Sequence, residues 1–198
     1  MPAAWVFDLD GTLTRPTHDY AALRRTLGLP DDLGVIEGLH RLSDGPRAEA
    51  EEALAAWEWA HARQATPAPG AQALVEAVMA AGLPVGIVTR NRLDVALHTL
   101  EVLGLAGHLH AEDVLGRDCT EPKPSPAGVA RLLSRWGVAP GGAVMVGDHL
   151  HDLLAGRSAG TRTVLVRAEA PAAWRPHADR HVPHLDALHA WWRAGAAW

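Results

Sequence analysis

Apolar residues along this chain fall into two rhythms. Continuous apolar runs occur at Trp5-Val6-Phe7, Val85-Gly86-Ile87-Val88, Ala143-Val144-Met145-Val146 and Thr163-Val164-Leu165-Val166. Short runs of this kind, rich in branched residues, predict strands buried on both faces. Between and after them, apolar residues recur every three or four positions. That spacing predicts helices over residues 71–81, 93–103, 125–136, 149–159 and 185–192, with Gly82, Gly104 and Gly160 as stops. A weak strand is expected at 109–111. Strands alternating with helices of about ten residues imply an α/β fold, a Rossmann-like parallel sheet with helices on both faces.

Residues 15–69 break this alternation. They hold no strand candidate. Their rhythm predicts helices over 20–27 (capped by Asp19), 30–40 and 46–64, the last with Ala50, Leu54, Trp57 and His61 on one face. Breakers flank the segment, at Thr14-Arg15-Pro16 and at Pro67-Ala68-Pro69-Gly70. The expected organisation is a core domain from residues 1–14 and 70–198, with a small all-helical cap, 15–69, inserted after the first strand. Two connecting segments would let such a cap rock over a site. Trp59 lies on the opposite face of the 46–64 helix, read as a surface aromatic or as packed on the rest of the protein, with a place over a ligand as the alternative. Trp191, Trp192 and Trp198 are expected to pack at the terminus.

Composition narrows the class. The 198 residues are 48% hydrophobic, enough for a sizeable core. The formal net charge of −5 argues against non-specific nucleic-acid binding. No apolar stretch reaches membrane-spanning length, and no signal peptide is visible. The single cysteine, Cys119, suits a reducing compartment. A cytoplasmic protein, monomeric or weakly dimeric, is expected. Arginine supplies nearly all positive charge: the only lysine is Lys123. A lysine in so arginine-biased a chain is expected to do what arginine cannot.

The chemistry begins where the first strand ends. Asp8 and Asp10 are two positions apart, on one side of an extended chain, and Gly11 then permits a sharp turn beside Thr12. Carboxylates this close repel unless a cation separates them or one is protonated, which points to a hard metal such as magnesium. Thr89 ends the second strand run, and Gly147-Asp148 ends another. Asp152 follows four residues later, on the first turn of a helix. Lys123 lies in the loop Pro122-Lys123-Pro124. Each has an ordinary reading alone: a cap, a turn, a solvated charge. In a parallel sheet, however, all fall on one rim, where ligands of such folds bind.

These four pieces resemble the motif set of the haloacid dehalogenase-like hydrolases, and the helical insertion resembles the small cap of their phosphoglycolate phosphatase-like branch. The resemblance implies a phosphatase acting on a small phosphorylated metabolite. Asp8 would be the nucleophile, Asp10 the general acid and base, and Thr89 and Lys123 the groups that hold and neutralise the phosphoryl group. Backbone N–H groups near Gly11, Arg90 and Asn91 would bind its oxygens. Magnesium would be held by Asp8, the Asp10 carbonyl and Asp148, while Asp152 would steady Lys123 or a metal-bound water. Asp10 is the acid that carbon-attacking dehalogenases lack, so phosphate chemistry is favoured. Arg90 stands where asparagine is common and could reach a second anionic group. A phosphomutase, or a non-catalytic phosphate-binding or regulatory protein, is the alternative. The histidine pairs His108/His110 and His149/His151 have no nearby cysteine, which weighs against zinc. Arg15, His18, Tyr20 and Trp59 are candidates for choosing the substrate.

Overall fold

The structure, a computed structural model, describes residues 1–195. Six parallel strands form one sheet in the order β3-β2-β1-β4-β5-β6. They are β1 (Ala4–Phe7), β2 (Val85–Val88), β3 (Val114–Leu115), β4 (Ala143–Gly147), β5 (Arg162–Val166) and β6 (Arg180–Val182). The first strand is therefore central. Phe7 stands level with Ile87 on one side and Val146 on the other. Asp8, Thr89 and Asp148 thus emerge from three neighbouring strands at one edge.

Alternation along β1 divides the core. Trp5 and Phe7 face the helices α4 (Ala71–Ala80), α5 (Leu93–Val102) and α8 (Leu185–Arg193). Ala4 and Val6 face α6 (Ala127–Trp136) and α7 (Leu150–Ser158). Burial on both faces is why these strands read as unbroken apolar runs. Trp192 packs edge-on against Trp5, ring centroids 5.7 Å apart, and the Arg180 guanidinium lies over Trp191. Trp198 falls outside the described residues.

Residues 15–69 contain α1 (Tyr20–Thr26), α2 (Val35–Leu39) and α3 (Asp44–Ala62). Leu23, Leu29, Leu39, Ala50 and Leu54 form an apolar cluster separate from those on the sheet. Asp19 caps α1, its carboxylate accepting from the Ala22 N–H at 2.8 Å. The two connecting segments lie side by side: Arg15 N–H donates to Thr66 O at 2.9 Å, and Ala68 N–H to Leu13 O at 2.8 Å.

Four elements differ from expectation. The edge strand is not at 109–111 but at Val114–Leu115, since Ala106–His108 and Ala111–Asp113 take up helical turns. Strand β6 was not anticipated. Its residues Arg180 and His181 are polar because an edge strand buries little, so no apolar run marks it. The helix expected over 30–40 is only Val35–Leu39, with Gly34 as its N-cap. Helix α3 begins at Asp44, two residues before Pro46, because the N–H that proline lacks has no partner in a first turn anyway.

Candidate active site

The chain turns sharply after β1. The N–H groups of Thr12, Leu13 and Thr14 all point at the Leu9 carbonyl, and Asp8 N–H donates to Val146 O at 2.9 Å. Gly11 sits at φ +85°, and a Cβ there would lie 2.6 Å from Asp148 Oδ2. Only glycine allows both the turn and the approach of the two acidic loops. The turn aims Asp8 and Asp10 into a cavity of about 1220 Å³ between the sheet's carboxyl edge and helices α1–α3.

Lys123 reaches the same point from the loop before α6. Its side chain is 1% exposed, and Nζ lies 2.5 Å from Asp8 Oδ1 and 2.7 Å from Asp152 Oδ1. Asp152 is fixed in turn, its other oxygen accepting from His149 N–H at 2.9 Å as part of the α7 cap. The second Asp8 oxygen accepts from the Thr12 hydroxyl at 3.1 Å. Asp10 Oδ2 accepts from Asn91 Nδ2 at 2.7 Å, while its Oδ1 lies 3.6 Å from His18 Nε2. Oxygens of Asp8, Asp148 and Asp152 all fall within 4.8 Å of one another.

The crowding moves the titrations. Burial, with Asp8 and Glu58 nearby, raises the Asp10 carboxyl to about 7. Burial, then Asp8 and Asp152, raises Asp148 to about 8. Asp8 also rises, because burial and Asp152 outweigh Lys123. Burial pulls the Lys123 ammonium down, but Asp152 and Asp8 together reverse that and the net shift is upward. His18 is lowered to about 4 by burial and by His61, so it is a neutral imidazole near neutral pH. The site thus carries more negative charge than its one buried lysine neutralises.

The expected residues meet here, though not all as expected. Asp8, Asp10, Thr89, Lys123, Asp148 and Asp152 all line the cavity. The Gly11 N–H donates to Thr14 Oγ1, and the Asn91 N–H to Thr89 Oγ1. Arg90 turns across the site instead: its guanidinium makes a two-pronged contact with Glu37 of α2, at 2.7 and 2.8 Å, and also donates to the Lys123 carbonyl. His18 and Tyr20 line the cavity, whereas Arg15 is exposed. Trp59 packs on His98 of α5, ring centroids 5.2 Å apart, so the packing reading holds for it.

Sequence reasoning missed the second link between α1–α3 and the sheet. Glu58 of α3 is buried and receives both Arg117 nitrogens, at 2.5 and 3.1 Å. The available signal was a carboxylate one turn beyond Leu54, against an apolar face.

Comparison with known proteins agrees with this geometry. The family profile described as haloacid dehalogenase-like hydrolase matches residues 23–166. A phosphoglycolate phosphatase of Rhodospirillum rubrum is 32% identical over 194 residues, covering 84% of this chain and 80% of that protein. An N-acetylmuramic acid 6-phosphate phosphatase of Pseudomonas aeruginosa is 30% identical, covering 86% and 87%. The crystal structure of a hydrolase from Pseudomonas syringae superposes with a TM-score of 0.82 at 20% identity, covering 100% of both chains, a likeness of fold. The chain belongs to the haloacid dehalogenase-like hydrolases, in their phosphoglycolate phosphatase-like branch, and is an enzyme of the phosphatase kind. Among the described residues no helix is long and apolar enough to cross a membrane.

Two outcomes follow from the packing. A Cβ at Gly147 would lie 2.2 Å from Asp152 Oδ2. Gly147→Ala should push Asp152 off Lys123 and lower phosphatase kcat by about tenfold or more, read in steady-state assays. Asp148, with its raised carboxyl, binds a proton more tightly folded than unfolded. Its contribution to stability is therefore lost as pH rises from about 4 to about 8. In chelator at pH ~9, Asp148→Asn should melt at a higher temperature than the native protein. An equal or lower melting temperature would count against the crowding.

Proposed function

We propose that the chain is a magnesium-dependent phosphatase that hydrolyses a small phosphomonoester through an aspartyl-phosphate on Asp8. The observation that carries this reading is the Lys123 ammonium, buried between Asp8 Oδ1 and Asp152 Oδ1 and beside Asp10. It opposes the burial and the Asp152 charge that raise Asp8, and it partly neutralises the Asp8 carboxylate so that this group can approach a phosphate dianion.

In the first step an Asp8 oxygen attacks phosphorus as the bond to the leaving oxygen breaks. Asp10, raised to about 7, gives that oxygen its proton. In the second step the Asp10 carboxylate takes a proton from water. The water attacks phosphorus, phosphate leaves, and Asp8 is regenerated. Asn91 donates to one oxygen of the Asp10 carboxylate, and the neutral His18 ring lies 3.6 Å from the other. The Thr89 hydroxyl, buried at the end of β2 and facing Asp10, stands where a phosphoryl oxygen would be met.

Magnesium suits the donor set: oxygen ligands only, with Asp8 and Asp148 oxygens within 4.8 Å of each other and carrying charge that burial makes costly. Asp8, Asp148 and the Asp10 carbonyl would hold it. When bound, the ion offsets the carboxylates' charge and shields the phosphate. Asp152 is read as the anchor of Lys123, since both its oxygens are engaged. Residues 15–69 are read as a cap over a core of 1–14 and 70–198. It hinges at the paired segments near Leu13 and Ala68 and is latched by Arg90–Glu37 and Arg117–Glu58. The lone Cys119 and the lack of a membrane-crossing helix among the described residues fit a cytoplasmic enzyme of small metabolites.

Phosphate release from p-nitrophenyl phosphate tests the mechanism. Release should require magnesium, stop in chelator and fall to background in Asp8→Asn. Undiminished release in Asp8→Asn would exclude the covalent route. Lys123→Arg keeps the charge but puts a wide planar group where a compact ammonium is held at 2.5 and 2.7 Å between two carboxylates. It should lower kcat by about a hundredfold or more. A near-native rate would show that charge alone suffices there.

A further inference from the structure

The turn after β2 carries Asn91, whose side-chain amide donates to Asp10 Oδ2 at 2.7 Å. The turn leaves the sheet, so its carbonyls need donors from elsewhere. Both come from one residue. The Arg117 N–H donates to Asn91 O at 2.8 Å, and Arg117 Nη1 donates to Arg90 O at 2.9 Å. Asp118 extends the clamp, its Oδ1 accepting from the Leu93 N–H at 2.9 Å. Gly116 permits the approach: a Cβ there would lie 2.4 Å from the Leu93 nitrogen.

The Arg117 guanidinium is itself fixed. Its side chain is 16% exposed, and Glu58 of α3 accepts from both terminal nitrogens, at 2.5 and 3.1 Å. Two charge-assisted bonds to one carboxylate set the plane of a guanidinium as well as its place. Of the two hydrogens on Nη1, one meets Glu58 and the other Arg90 O. Arg117 is not part of the cavity wall, so it reaches the site only through the turn it holds.

Asn91 depends on that hold. Its N–H is taken by Thr89 Oγ1 at 3.1 Å and its carbonyl by Arg117. With both backbone groups tied, the amide meets Asp10 from one direction. An N–H donor on Oδ2 makes Oδ2 the acceptor oxygen, so a proton on this carboxyl is carried by Oδ1. A lysine or a methionine at 117 would lose the fork that serves Glu58 and Arg90 O together.

We propose that Arg117 is a positioning residue for the reaction: through the Arg90 and Asn91 carbonyls it sets Asn91, and Asn91 sets which Asp10 oxygen carries the proton given to the leaving group. This rests on the phosphatase reading above and adds a residue that touches neither substrate nor metal. It ties the first carboxyl loop, the turn after β2 and the loop after β3 (Val114–Leu115) into one unit.

The test is a ratio measured within each protein: kcat/KM for benzyl phosphate over kcat/KM for p-nitrophenyl phosphate. The benzyl alkoxide must be protonated as it leaves, whereas p-nitrophenolate leaves without a proton. The proteins are native, Asn91→Ala, Arg117→Met, the double variant, and Arg135→Gln, which removes a comparable ion pair with Asp113 away from the cavity. Asn91→Ala and Arg117→Met should each lower the ratio by about tenfold or more. The double variant should fall no further than the lower single, because both act through one contact. Arg135→Gln should leave the ratio unchanged. The active fraction cancels in the ratio, so a purely structural loss cannot mimic the result. If Arg117→Met does not fold, Arg117→Lys, with its donors on one nitrogen, is read in the same way. An unchanged ratio in Asn91→Ala or in the Arg117 variant, or losses that multiply in the double variant, would overturn the proposal. So would native hydrolysis of p-nitrophenyl phosphate alone, since no proton would then reach an alkoxide. If the native protein hydrolysed neither compound, the phosphatase reading itself would fall, and this proposal with it.

Discussion

A single buried ammonium holds the site together. Lys123 is almost wholly removed from water, at a desolvation cost that only close anionic partners offset. Asp8 and Asp152 supply them, from the end of β1 and the first turn of α7. The arrangement works both ways. Without Lys123, two carboxylates would be left buried and facing each other, a loss of about 3–5 kcal/mol by analogy with broken buried pairs. Without Asp152, the lysine would lean on the nucleophile alone. One contact thus ties three chain segments far apart in sequence and sets the charge of the group read as the nucleophile.

Space is the second constraint. Gly11 and Gly147 are glycines because acidic side chains occupy the places where their Cβ atoms would go. Gly11 lets the two acidic loops approach each other, and Gly147 leaves room for Asp152 on the first turn of α7. The cost is burial of these acids and, after it, their mutual repulsion, visible in the raised Asp10 and Asp148 carboxyls. Such strain is unfavourable for the folded chain alone and favourable for taking up a cation.

Helices α1–α3 rest on the sheet through polar contacts. Their own apolar cluster is small, and the links to the rest of the chain are the connecting pair near Thr14 and Thr66 and the contacts Arg90–Glu37, Arg117–Glu58 and Trp59–His98. Glu58 is buried against Arg117, but Arg90–Glu37 is partly exposed, and a charge pair of that sort contributes little and exchanges with water at little cost. That is the kind of contact a part that opens and closes would use. It also explains why Arg90, which stands beside Thr89 and could have met a substrate, is taken up by Glu37.

By itself the sequence determined the alternation of strand and helix, the helical insertion and the four polar pieces at strand ends. These follow from local physics: burial on two faces writes unbroken apolar runs, helices write a period near 3.6, and turns demand glycine or proline. The isolation of Lys123 in an arginine-rich chain was equally legible. Only the tertiary structure decided the pairings. A carboxylate such as Glu58 or Glu37 looks the same in sequence whether solvated or bound to a distant arginine, because its partner lies 59 or 53 positions away. The edge strand β6 was invisible because its stability comes from hydrogen bonds to β5, not from its own apolar residues. No local pattern carries that information.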